Sequence, residues 1–326
     1  MSVNTALNAI SALTIHGLIT DTEGANIPMI LHRTVAPLDL VPLLRLDEGA
    51  PPEVVYGPFI PRPPSTLPET GDLHVQLILA EEKGWGRSSF VHEVNVLPAT
   101  TLPAHLPPLV LKVARSKRRA EIAREAWFYD ELECLQGVVL PRCYGWFEAE
   151  LAEGQSFGPS TRATRRSSDS EDSNLEWRFE DSKQLTEMSH SRDYVSVLLL
   201  EKMGGKLPIG VPLVMTWCKW YLHRMNYHLR INFSKGIYDM YGEIAQLGVD
   251  HRDIRYSNML AAPQGPATLP SLPSPFTGRI YTHRMIDIES CEKTNGETSI
   301  LTDWAASWIH SIVRNLPDGC IIEPWD

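Results

Sequence analysis

The sequence predicts an α+β chain in two parts, a strand-rich stretch followed by a helix-rich one, and three observations carry that prediction. Short apolar or alternating runs recur between His74 and Ala114, the pattern of a half-buried sheet. After Glu201 the apolar residues move to helical spacing. With 326 residues and 43% hydrophobic content, each part has enough chain to bury a core.

The elements follow in order. Residues 1–70 are rich in proline and end in Pro51, Pro52, Pro58, Pro61, Pro63, Pro64 and Pro68, which resist continuous helix or sheet, so this stretch reads as a leader or strap. His74–Leu79 and Ser89–Val96 form a hairpin across a glycine turn. Leu109–Ala114 is a third strand. Glu121–Gln136 is a helix with Ile122, Tyr129, Leu132 and Leu135 at helical spacing, stopped by Gly137. Between about 153 and 192 the composition collapses to Ser, Arg, Asp and Glu, which predicts a disordered insertion. It separates Cys143–Leu151 from Tyr194–Leu200, two strands that pair across it. Residues 71–200 thus make the first part and 201–326 the second. The second part contains helices at Val214–Arg230 and Phe233–Leu247, a strand pair at Asn258–Ala262 and Ile280–Ile288 joined by the proline-rich run Pro263–Pro275, and a last helix at Ile300–Val313.

Composition excludes several functions. A formal charge of −10 and a pI near 5.6 argue against a nucleic-acid surface, which needs clustered Lys and Arg. The five cysteines, Cys134, Cys143, Cys218, Cys291 and Cys320, are scattered without CxxC spacing and fit a reducing, intracellular setting, cytoplasmic or nuclear. Ala6–Ile19 is a poor signal peptide, and no apolar run is long enough to span a bilayer, so a membrane partner is not expected.

Four segments carry chemistry. HRDIRYSNML, His251–Leu260, places an Asp, four residues and an Asn between a helix and a strand. Asp253 can orient or deprotonate an attacking hydroxyl, Asn258 can offer an oxygen to a magnesium ion, and Arg255 can neutralise phosphate. MIDIES follows, with Asp287 after an apolar pair, so that Asn258 and Asp287 form a two-ligand Mg²⁺ set. In LVLKVA, Leu109–Ala114, Lys112 sits inside an apolar strand. Glu125 on the following helix is its expected partner and Glu121, one turn earlier, the alternative; the plainer reading is a lysine stem covering a strand edge. GWGRSSFV, Gly84–Val91, offers Gly84 and Gly86 for backbone approach to phosphate, with Ser89 at a third glycine's place and Val91 after it; an ordinary hairpin turn has the same composition.

In this order the motifs resemble a eukaryotic-type protein kinase, in the divergent form abundant in filamentous fungi, over about Gly71–Glu289. The resemblance implies a bilobal fold with a β-rich N-lobe and a shortened helical C-lobe. It also implies ATP and Mg²⁺ as cofactors, and transfer of the γ-phosphate to a protein Ser/Thr hydroxyl. LLLEKMGG, Leu198–Gly205, then looks like the hinge, with Leu200 as gatekeeper and backbone groups of Glu201–Met203 facing adenine. Asp287-Ile288-Glu289 departs from the kinase DFG and looks more like the metal-binding IDxE of aminoglycoside and choline kinase relatives, which act on small-molecule alcohols. No APE-ended activation segment is recognisable between Asp287 and Asp326. That departure keeps two further readings: a pseudokinase that binds without turnover, and a truncated or inactive product.

Overall fold

Residues 7–46, 57–98, 106–157, 182–190, 193–206 and 236–314 are described by a computed structural model. The expected hairpin is β4 (Leu73–Trp85) with β5 (Ser89–Val96), and the third strand is β6 (Leu109–Ala114). Strand β7 (Cys143–Glu150) pairs antiparallel with β9 (Tyr194–Glu201) across the long insertion, from Glu150 opposite Tyr194 to Cys143 opposite Leu200. These strands form the continuous order β4-β5-β6-β9-β7.

The proline-rich leader corrects the sequence expectation. It contributes β1 (Ile10–Thr20) and β2 (Asn26–Thr34), which pair with each other. Strand β1 runs parallel to β4, with Leu13 opposite Val75, and β2 pairs with β7. The strip of strands thus closes on itself as a barrel, β2-β7-β9-β6-β5-β4-β1, with the short β8 (Ser156–Phe157) added beside β1. Closure satisfies strand edges that would otherwise expose unpaired backbone groups. Alternate residues fill the interior: Leu13, Ile15, Leu31, Leu77, Leu111, Val113, Phe147, Val197 and Leu199 are all buried there. Residues 57–72 do lie as a strap along α1 (Arg119–Glu131), with Arg62 on Glu131 at 2.8 Å and the Thr66 N–H on Glu133 at 2.8 Å.

Helix α1 packs on the outer face of β6, β7 and β9, and Ile122, Ala123, Trp127, Phe128 and Leu132 are buried against Leu198, Leu200 and the second part of the chain. It ends earlier than expected, in a 3-10 turn at Glu133–Leu135. Gly137 follows with φ of 75°, where a Cβ would come within 2.8 Å of the Arg142 guanidinium.

The insertion is structured at its margins, a second correction. Strand β8 lies at one end, and at the other α2 (Lys183–His190) buries Leu185 in the main core. Residues 158–181 and 191–192 lie outside the described ones, as does the expected helix Val214–Arg230. The second expected helix is α3, residues 236–245. Strand β10 (Val249–Asp250) pairs with β13 (Glu292–Thr294), which pairs with β3 (Leu43–Leu44) of the leader. Strands β11 (Met259–Ala261) and β12 (His283–Met285) form the predicted pair. The last helix is α4 (Thr298–Arg314). The fold is mixed α+β, with one sheet-rich part and few helices.

Candidate functional site

Position 112 lies between Leu111 and Val113, which point into the barrel, so strand alternation turns Lys112 to the outer face. Its ammonium is 2.5 Å from Glu125 on α1 and 2.6 Å from Asp287, with Glu289 3.8 Å away. Glu121, the alternative partner, pairs with Arg118 instead. Burial disfavours the lysine's charge, yet Asp287, Glu125 and Glu289 together outweigh burial and raise its pKa. Burial raises the pKa of Glu125, against the pull of Lys112, whereas Asp287 is lowered because the lysine outweighs its burial. Burial and the Asp287 charge push Glu289 up to about 8. Four buried or half-buried ionisable groups thus form one cluster, with the Lys112 ammonium at its centre.

The HRDIRYSNML segment, His251–Leu260, forms a second cluster beside the first. The Asp253 carboxylate accepts from Arg255 at 2.6 Å on one oxygen and from the Asn258 amide at 2.9 Å on the other. The two clusters are joined by backbone: Ile286 N–H donates to the Asn258 carbonyl at 2.9 Å, and β11 and β12 pair Met259 with Met285. Arg255 also lies close enough to help lower the Asp287 pKa. Arg252 and Asp287 hold left-handed φ values of 61° and 62°. Such backbone costs of order 1–3 kcal/mol at a non-glycine residue, less for Asp, and persists where surrounding contacts fix it.

The GWGRSSFV segment, Gly84–Val91, reaches the same face. Val91 pairs with Lys112 and Ser89 with Ala114, on the outer side of the barrel. Gly86 N–H donates to the Ser89 carbonyl at 2.9 Å and closes the β4–β5 turn. Ser88, not the predicted Ser89, sends its hydroxyl into the cluster, donating to Glu289 at 2.5 Å. The predicted hinge residue Glu201 is not brought to it. Its N–H donates to the Arg142 carbonyl at 2.9 Å and its carboxylate pairs with Arg142 at 2.8 Å, both side chains 1% exposed, so Glu201 braces the end of β9. Met203, just beyond, is half-buried.

No protein-family model and no curated protein matches this chain. Among solved structures it is similar to a ROP18 kinase domain in complex with AMP-PNP and sucrose, with a TM-score of 0.36 and 13% identity over 67% of this chain and 52% of that one. The chain spans about half the length of that structure. A likeness so distant adds nothing to what the side chains themselves say.

Sequence reasoning missed Ser88, Glu289 and Arg124. Glu289 stood in the IDxE motif, but its direction depends on how the segment folds under the β4–β5 turn. Arg124 precedes Glu125 on α1 and donates to the backbone carbonyls of Glu289 and Cys291, at 2.9 and 2.5 Å, fastening the helix to the segment after Asp287. Among the described residues, no helix is long and apolar enough to cross a membrane.

Proposed function

We propose that this chain is an ATP- and Mg²⁺-dependent phosphotransferase of the protein-kinase-like kind, acting on an alcohol acceptor, with a protein Ser/Thr hydroxyl preferred over a small-molecule one. One observation carries the reading: Lys112, buried in an apolar strand, is held at 2.5 and 2.6 Å by Glu125 and Asp287, which lie 13 and 175 residues away in the chain. A lone lysine covering a strand edge does not require two carboxylates from separate elements.

In this reading residues 71–200 cover the phosphates and 201–326 supply the catalytic loop and metal ligands, as a bilobal arrangement would. Gly84 and Gly86 leave the backbone of the β4–β5 turn accessible, since an added Cβ would meet nothing within 4 Å at Gly84 and only the Ser89 carbonyl, at 3.8 Å, at Gly86. Lys112 holds phosphate oxygens. The donor set suits magnesium, a hard cation: the Asp287 side chain is 36% exposed, and the Asn258 side-chain oxygen, Oδ1, takes a long 3.4 Å hydrogen bond from Ser257. Bound there, Mg²⁺ would neutralise charge on the phosphates. Asp253 accepts the acceptor's hydroxyl proton as that oxygen bonds the γ-phosphorus and the bond to the β-phosphate oxygen breaks. Arg255 faces the transferring group.

A second reading, nucleotide binding without turnover, is favoured by one detail: both Asp253 oxygens are engaged, by Arg255 and by Asn258. Two measurements test and separate these readings. Millimolar Mg·ATP is expected to raise the unfolding temperature of the wild type but not of Asp287→Ala; a ligand at about 100 times its Kd stabilises by about 2.7 kcal/mol. No stabilisation of the wild type removes both readings. Transfer of labelled phosphate by the wild type, reduced about 100-fold or more in Asp253→Ala, selects the enzyme. Equal transfer by the two proteins excludes Asp253 from the chemistry.

A further inference from the structure

Glu289 has no part in the chemistry just described, yet its carboxylate, 7% exposed, sits where three donors converge. The Ser88 hydroxyl donates to Oε2 at 2.5 Å, the Lys112 ammonium lies 3.8 Å from the same oxygen, and the Arg87 guanidinium is 4.0 Å from Oε1. Ser88 is itself fixed, because its carbonyl accepts the Arg115 N–H at 2.8 Å and the adjoining turn is closed by Gly86. The Ser88 hydroxyl is hydrogen-bonded to this carboxyl group and the two cations flank it at 3.8 and 4.0 Å; a hydroxyl, an ammonium and a guanidinium gathered around one acidic group make a donor set suited to phosphate.

We propose that Ser88, Arg87 and Lys112 form a phosphate-binding cradle that the chain fills with its own Glu289 carboxylate, so that Glu289 competes with a nucleotide's phosphates for the site. This rests on the nucleotide-binding reading above. The surroundings suit a carboxylate that withdraws. Arg124 pins the backbone carbonyls of Glu289 and Cys291, so vacating the cradle needs only side-chain rotation. Lys112 keeps Glu125 and Asp287 when Glu289 leaves, and no buried cation is left unpaired. With Glu289 in place, its side chain takes the Ser88 hydroxyl and stands beside the Lys112 ammonium, so an incoming anion finds these donors occupied. A glutamate serving the metal instead would act in the opposite sense, and its loss would weaken Mg·ATP.

Calorimetric titration of Glu289→Gln and Glu289→Ala with Mg·ATP and with inorganic tripolyphosphate tests this. Each variant is expected to bind tripolyphosphate about tenfold more tightly than the wild type, a difference of about 1.4 kcal/mol. Adding Ser88→Ala or Arg87→Gln to Glu289→Gln is expected to reverse that gain. Unchanged or weaker binding of tripolyphosphate by both Glu289 variants, with unfolding temperatures retained, overturns the proposal. Should the Glu289 variants fail to fold, Ser88→Ala and Arg87→Gln in the otherwise native chain must still weaken tripolyphosphate, and unaltered affinity in both overturns it equally. Tightened tripolyphosphate with no binding of Mg·ATP by any protein would keep the cradle and remove the nucleotide reading.

Discussion

Leu111 and Lys112 are neighbours in one strand and both are buried, at 0% and 5% exposure, but their two faces of the barrel solve burial in opposite ways. Leu111 points inward, where its neighbours are aliphatic and aromatic and any of several apolar side chains would serve. Lys112 points outward, where only its pairing with Glu125 and Asp287 makes burial tolerable. The inner face needs volume, which many sequences supply. The outer face needs particular charges from three separate segments of the chain, and an arrangement so specific is where function is sought.

That contrast breaks most sharply at the lysine. Lys112→Met is expected to destabilise the chain by about 4 kcal/mol, because it strands the fully buried Glu125 carboxylate. Urea unfolding measures the loss, and Glu125→Gln in the same protein should recover a large part of it. A Lys112→Met protein as stable as the wild type would show that the outer face is as permissive as the inner one. Next in size, Leu111→Ala should cost about 3 kcal/mol by opening a cavity in the barrel. No second substitution on the outer face should rescue it, and the protein that remains folded should keep its Mg·ATP response. A lost response would mean that the interior packing sets the position of Lys112.

The same division explains what the sequence made legible. Strand β6 lies where its apolar run puts it, and Lys112, set inside that run, meets Glu125 and Asp287. Strands β1 and β2 were legible locally too. In β2, Met29 and Leu31 are buried between exposed Pro28, Ile30 and His32, a period of two, but a cluster of prolines further along the leader dominates the composition of the whole segment. Barrel closure is a different matter. It joins Leu13 to Val75 in parallel and His32 to Glu148 antiparallel, and pairing over such distances leaves no mark in either strand alone. Ser88 and Glu289 are illegible for the same reason: their contact spans 201 residues and depends on where a turn and a segment settle in space. The Glu201 side chain is illegible in the same way, since its carboxylate is held by Arg142, 59 residues earlier in the chain.

A histidine on the inner face does not fit the apolar rule, and it sharpens the comparison at the smallest scale. His92, 1% exposed and opposite Leu111, points into the barrel between Phe90 and Val94. Burial depresses its pKa, with Glu82 opposite it on β4 pulling the other way, so the ring is held neutral in the fold. In the unfolded chain it titrates near its ordinary value of about 6.5. As pH falls through that value the unfolded state takes up a proton that the barrel refuses, so the stability present above about 6.5 is lost below it, at up to about 1.4 kcal/mol per pH unit for one group. His251 and His283 are depressed by burial as well and add to the wild-type slope. His92→Leu should therefore make the urea-unfolding profile less steep below pH 6.5 while leaving the other two histidines titrating. An unaltered profile would mean that the barrel interior admits a charged ring, and that its tolerance of polar groups is closer to that of the outer face than the aliphatic lining suggests.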